Sequence, residues 1–261
     1  MSEAYLIDLV RTPMGRGKLG CSLSEVHPAE LGAVPVKALI DRTGLDPKHI
    51  EDVIYGCVSP LGEQGMNIAR IVALLALDRD TPGVQVNRMC SSGLQTVEMA
   101  KQPNMAGDAD LLIAGGIESM SRVPMGIDGL PLPMSPNQDT TLSEQYMKKY
   151  QVKSMGQSAE MIAEQWGFTR DELDDFSINS HAKAHAAQEA GYFKNEIIPV
   201  DTPSFGTVDK DEGIRASVDK AKMATLPTPF KDGGVVTAAS ASQITDGAAA
   251  VLLASKTAVD K

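Results

Sequence analysis

The sequence predicts a layered α/β domain interrupted by a partly helical insertion. Short apolar runs alternate with stretches of helical periodicity through the first 120 residues, the pattern of strands and helices stacked in layers. That alternation breaks down over 121–235, where Pro, Met, Gly and polar residues dominate. Apolar strand character then returns near 246–254, as if the chain rejoins the sheet it left.

Residues 4–10 (AYLIDLV) read as a first strand, closed by the Arg-Thr-Pro-Met-Gly turn at 11–15. Residues 28–44 read as a helix: Pro28 suits its first turn, apolar side chains recur at Leu31, Val34 and Leu39, and Gly44 suits its end. A strand is expected over 51–58 and a helix over 66–77. Val84–Asn87 follows as a short strand and Met89–Ala100 as a helix that Pro103 should stop. Asp110–Gly115 has the unbroken apolar character of a buried strand. Residues 122–154 and 199–232 read as irregular, 157–166 and 171–190 as helices, and 233–237 and 246–254 as strands. The division expected is 1–120 with 236–261 as the α/β domain and 121–235 as the insertion.

Charge and cysteine usage narrow the function classes. The formal net charge of −10 argues against a broad nucleic-acid surface, which needs clustered Lys and Arg. Cys21, Cys57 and Cys90 are odd in number and widely spaced, which argues against a disulfide framework or a zinc site and favours a reducing compartment, with the cytoplasm as the default address. The longest apolar runs, such as Val72–Leu77, are too short to span a bilayer, and Asp8 and Arg11 interrupt any leader-like start. His181 and His185 stand four apart on an expected helix, but no third ligand accompanies them, so a solvated helix face is the better reading and no metal is expected.

The segment Val86-Asn87-Arg88-Met89-Cys90-Ser91-Ser92-Gly93-Leu94-Gln95 carries the chemistry. A strand ends there and a cysteine opens a helix, where unpaired N–H groups and partial positive charge favour the attacking thiolate. Gly93 removes a side chain one turn on, leaving room for an acyl group. The residues alone leave two readings: a nucleophile, or a small cysteine packed in the core.

Asn-Arg-x-Cys-Ser-Ser-Gly-Leu-Gln resembles the acyl-enzyme signature of the thiolases, and further matches follow in family order. They are Arg-Thr-Pro-Met-Gly-Arg at 11–16, Glu-Gln-Gly-Met-Asn-Ile-Ala-Arg at 63–70, Ala-Gly-Gly-Ile-Glu-Ser-Met-Ser at 114–121, Asp-Glu-Gly-Ile-Arg at 211–215 and Gln-Ile-Thr-Asp-Gly-Ala-Ala-Ala-Val at 243–251. The resemblance implies a thiolase-type domain with a mixed sheet and helices on both faces, and Cys90 as the acyl-accepting nucleophile. It implies that the insertion binds coenzyme A, as substrate and product rather than resident cofactor. Arg215 would meet the nucleotide end, Ser242 the pantetheine arm, and Met155 and Phe230 would line the same tunnel. Lys222 joins Lys210, Arg215 and Lys220 in a basic cluster suited to phosphates; interleaved acids at Asp209, Asp211, Glu212 and Asp219 leave a solvated loop as the bland alternative. The run at 63–70 is more similar to degradative 3-ketoacyl-CoA thiolases than to acetoacetyl-CoA synthesisers. Homo-oligomers, as dimers or tetramers, are also implied.

Thiolases normally carry a second domain of the same fold, with a Gly-His-Pro histidine and a Cys-x-Gly-x-Gly cysteine; neither motif occurs in these 261 residues. Loss of such a base typically costs about 100- to 10,000-fold in rate. The expectation is therefore little turnover by this chain alone, as a fragment, a truncated product or half of a split enzyme completed by a C-terminal thiolase domain. Two rivals are a non-catalytic coenzyme A-binding half and a ketoacyl synthase relative; the insertion argues against the second. Thr237-Ala238-Ala239-Ser240 also departs from the family's usual Thr-Ala-Gly-Asn.

Overall fold

The computed structural model describes residues 3–129 and 142–261; part of the stretch expected to be irregular, 130–141, lies outside the described residues. In chain order the elements are β1 (Ala4–Arg11), β2 (Gly15–Arg16), α1 (Pro28–Thr43), β3 (Asp52–Gly56), α2 (Ile68–Ala76), β4 (Gly83–Val86), α3 (Ser92–Ala106) and β5 (Leu111–Ser119). Then come α4 (Glu144–Lys149), α5 (Met155–Trp166), α6 (Arg170–Glu189), β6 (Val200–Thr202), β7 (Gly206–Val208), α7 (Lys220–Ala224), β8 (Thr245–Ser255) and α8 (Lys256–Val259). Contacts divide the chain into two compact units: one of Met1–Asp128, Lys194–Glu212 and Ile244–Lys261, the other of Gly129–Phe193 and Gly213–Gln243.

The first unit is built on a mixed sheet of order β1-β8-β5-β3-β4, with β2 also paired to β8. β3 runs parallel to β4 and β5, while β8 runs antiparallel to β1 and β5. Successive strand side chains point to opposite faces, and each face has its own core. Val53, Tyr55, Ile113, Ala250 and Leu252 face Leu31, Leu39, Ile68 and Val72 of α1 and α2. Ile54, Leu112, Ala114 and Leu253 face Ala100 of α3, with Val97 packed beside them. The fold is thus the expected layered α/β domain with a mixed sheet and helices on both faces.

Local signals account for the helix ends. His27 caps α1, its Nδ1 accepting from the Ala29 N–H at 3.2 Å, and Gly44 ends it with φ 68°. The helix expected to stop at Pro103 instead runs on to Ala106. The proline loses one backbone donor, but its own carbonyl accepts from Gly107 and Asp108, and buried Asn104 donates to the Ala109 and Asp110 carbonyls, so the last turn stays anchored.

Residues 194–212 belong to the first unit. Arg11 places Nε 2.7 Å from Glu196, and its terminal nitrogens lie 2.7 and 3.0 Å from the two Asp211 oxygens. Asp211 also accepts from the Met14 N–H at 2.8 Å. This forked pairing offsets the desolvation of a side chain only 2% exposed.

The second unit holds α4 to α7. Capping boxes open α5 at Ser154/Gln157 and α6 at Thr169/Glu172. Residues 233–237, expected as a strand, are irregular instead, with a turn at 233 and a bend at 235. Their backbone donors go to a carboxylate: the Val235 and Val236 N–H groups donate to Glu160, at 2.7 Å for Val236.

Candidate active site and coenzyme-binding residues

Cys90 sits just beyond the C-terminal end of β4 and one residue before the Ser91 cap of α3, exposed to solvent. The ends of parallel strands are where open α/β sheets usually carry their sites. The turn is tight. Met89 has φ 49°, a left-handed conformation that costs a non-glycine residue about 1–2 kcal/mol. Ser92 fastens it: its Oγ accepts from the Arg88 N–H at 2.9 Å and donates to the Met89 carbonyl at 2.6 Å. The first turn of α3 comes close to the sheet because residue 56 is glycine; a Cβ there would lie 2.8 Å from that of Ser92. A Cβ at Gly93 would meet nothing within 4 Å, so that glycine leaves open space beside Cys90.

A polar network underlies this turn. Asn87 Oδ1 accepts from the Met89 N–H at 2.9 Å, while its Nδ2 donates to the Val58 carbonyl at 2.9 Å. Glu118 on β5 accepts from the N–H groups of Val58 at 2.8 Å and Ser59 at 3.3 Å. Fully buried Gln64 donates to the Glu118 carboxylate and the Ser59 carbonyl, both at 2.9 Å, and accepts from the Ser119 N–H at 2.6 Å. Cys57 lies within this layer; burial first, then the nearby Glu118 charge, pushes its thiol up to about 12.

In the second unit, Arg215 is exposed and its backbone N–H donates to His181 Nδ1 at 3.3 Å. The two line one cavity of about 70 Å³ with Met223, Ala239 and Gln243. Burial and then the Arg215 charge hold the His181 imidazole below its ordinary pKa. His181 is thus half-buried, and its bond to the Arg215 backbone lies at the exposed surface of the helix. Met155 opens α5 and is exposed; Phe230 packs its ring on Gly156 and lines a second depression with Gln157 and Met161. Lys222, on α7, and Ser242 are both exposed and stand outside the lining of either depression. The Thr237–Ser240 departure has a local logic: Ser240 Oγ accepts from the Thr237 N–H at 2.9 Å and closes the turn.

The comparisons with known proteins bear on this arrangement. Residues 4–257 match the thiolase N-terminal domain. The chain belongs to the thiolase family. The steroid 3-ketoacyl-CoA thiolase FadA6 of Mycobacterium tuberculosis is 44% identical over 99% of this chain and 63% of its own length. A beta-ketoadipyl-CoA thiolase of Acinetobacter baylyi is 42% identical over 99% of this chain and 68% of its own. A 3-ketoacyl-CoA thiolase of Bacillus subtilis is 40% identical, with coverages of 100% and 68%. The chain thus spans roughly two-thirds of these thiolases, 63% in the first case.

Sequence reasoning passed over two elements of this thiolase domain. Glu160 gave a weak signal, as a carboxylate three residues before buried Ala163 on the inner face of α5. Glu118 was noticed only as a member of a motif, because its partners lie about 60 positions away in the sequence. Among the described residues, no helix is long and apolar enough to cross a membrane, and no group of three His, Cys, Asp or Glu side chains is placed to hold a metal.

Proposed function

We propose that this chain accepts an acyl group from a coenzyme A thioester on Cys90, the first half-reaction of a thiolase. The observation that carries the reading is the exposed Cys90 thiol, held on a strained turn at the N-terminal end of α3. In thiolysis of a 3-ketoacyl-CoA, Sγ attacks the 3-keto carbonyl carbon and an S–C bond forms. The C2–C3 bond breaks, and its electron pair leaves as the acetyl-CoA carbanion, which takes up the proton released by the thiol. Coenzyme A thiol then takes the acyl group from the cysteine. The degradative direction is preferred over acetoacetyl-CoA synthesis because of the 63–70 run and because the similar proteins are named 3-ketoacyl-CoA and beta-ketoadipyl-CoA thiolases.

Coenzyme A recognition is assigned to the stretch 121–235 with Ser242. Arg215 and Lys222 supply charge for phosphates, Ser242 a hydroxyl for the pantetheine arm, and Met155 and Phe230 apolar surface. A cytoplasmic setting fits three free cysteines. The proposed partners are acyl-CoA and coenzyme A, with assembly as a homo-oligomer or with a C-terminal thiolase domain that supplies the base. Incubation with acetoacetyl-CoA followed by intact-mass measurement and peptide mapping, beside Cys90→Ala, tests the reading. An acetyl adduct confined to Cys90 is expected, accumulating slowly because these 261 residues carry no Gly-His-Pro histidine to act as base. A folded chain that takes up no acetyl group overturns it and leaves the non-catalytic coenzyme-binding half as the better description.

A further inference from the structure

Three N–H donors converge on the Glu118 carboxylate: those of Val58 and Ser59, and the side-chain amide of Gln64. Gln64 is itself fully buried and its other end is held by the Ser119 N–H, so it cannot swing away. The peptide planes after β3 are fixed by a side chain from the neighbouring strand β5. Those planes in turn present the Val58 carbonyl to Asn87, which follows β4 on the other side of β3. The Asn87 Oδ1 accepts from the Met89 N–H, in the left-handed residue immediately before Cys90. The bonds therefore form one connected path across the ends of three parallel strands, from a carboxylate to the residue beside the thiol. A left-handed Met89 persists only where surrounding bonds over-determine it, and this path is one that does so.

The geometry points to Glu118 as a positioning residue for Cys90, acting through the Val58–Ser59 backbone and the Asn87 side chain to hold the turn that presents the thiol. The functional half of this inference rests on Cys90 as the acyl acceptor; the structural half does not. A carboxylate suits the place because every neighbour is a donor. A glutamine of the same shape would turn an N–H group against a donor whichever way its amide faces.

The test compares Glu118→Gln, Asn87→Ala and the double variant with the unaltered 261-residue chain. One readout is hydrogen exchange of the 89–91 amides against the sheet amides of Ile113 and Leu252. The other is the acetylation rate of Cys90 by acetoacetyl-CoA as a function of its concentration. Each single variant should lower protection at 89–91 about 10-fold and leave the sheet amides unchanged. The double variant should lose no more than the worse single, as members of one path do. Maximal acetylation should fall about 10- to 100-fold at unchanged half-saturation, the signature of a displaced nucleophile rather than lost binding. Unchanged protection at 89–91 in folded Glu118→Gln, additive losses in the double variant, or a loss spread evenly through the sheet would each overturn the inference. Should Glu118→Gln not fold, Glu118→Asp, which retracts the carboxylate, is read by the same criteria. A wild-type chain that takes no acetyl group, with exchange changing as expected, refutes the acyl-acceptor reading and upholds the positioning path.

Discussion

Cys57 lies 1% exposed beneath the ends of the parallel strands, and burial pushes its thiol up to about 12. Cys90 stands in the open at the head of α3. Iodoacetamide at pH 8 should therefore label Cys90 within minutes and leave Cys57 unmodified until denaturant is added, as peptide mapping will show; early labelling of Cys57 would contradict its placement. Glu63 is also governed by its neighbour. It pairs with Arg122, whose hydrogen bond holds the carboxyl below its ordinary 4.5, against a smaller opposing effect of burial. A lowered carboxyl stabilises the fold above its unfolded pKa, and that contribution disappears as pH falls through the lower folded value. Glu63→Gln should thus cost under about 1 kcal/mol at pH 7, since the side chain is 38% exposed. The difference from wild type should shrink below pH 4.5 in urea titrations; a constant difference would place the effect elsewhere. The sequence singled out Cys90 because the motif around it is contiguous and resembles the thiolase acyl-enzyme signature; its neighbours alone left the packed-cysteine reading open. The setting of Cys57 was hidden because it is made by residues from other elements.

At the scale of elements, periodicity and caps foretold most boundaries. Pro28 and Gly44 bracket α1 as expected, whereas the capping boxes at Ser154 and Thr169 start α5 and α6 one to two residues before the expected 157 and 171. Pro103 misled, because its lost donor tells nothing of the Asn104 side chain, which anchors the α3 end on carbonyls five and six positions further on. Pro103→Ala should restore one helical donor and raise the unfolding free energy by about 1–3 kcal/mol, measured by chemical denaturation; a loss of stability would mean that the ring packs usefully where it is. In the second unit, Gly156 is the point of closest approach between α5 and the Phe230 ring, and an added Cβ would overlap that ring. Gly156→Ala should displace Phe230 and cost about 1–3 kcal/mol. If Phe230 belongs to the coenzyme site, coenzyme A binding by calorimetry should weaken in the same variant.

Across the whole chain, long-range pairings decide which segments belong together. Arg11 reaches Glu196 and Asp211 across roughly 200 positions and ties 194–212 to the first unit. Burial lowers the arginine's proton affinity, but the two carboxylates more than offset this and hold it above its ordinary value. Arg11→Ala would leave the Asp211 carboxylate buried without its partner. It should cost about 3–5 kcal/mol, and a second change, Asp211→Asn, should return part of that. Thermal and urea unfolding of the two variants test this; equal stability of Arg11→Ala and wild type would show that the forked pair contributes nothing net.

By itself the sequence determined the α/β class, the order of most elements, the family and the position of the cysteine at a strand–helix junction. Each of these is written in local periodicity, cap residues or contiguous motifs. Only the tertiary structure decided that β8 lies between β1 and β5, with Asp246 opposite Ser119, and that Glu118 reaches the backbone of residues 58 and 59. It also decided that Glu160 gathers the 235–236 amides, and that His181 meets the backbone of Arg215. The physical reason is common to all four. A strand's register and a polar side chain's partner are chosen by which distant groups are left unpaired when the layers close, and no stretch of neighbouring residues carries that information.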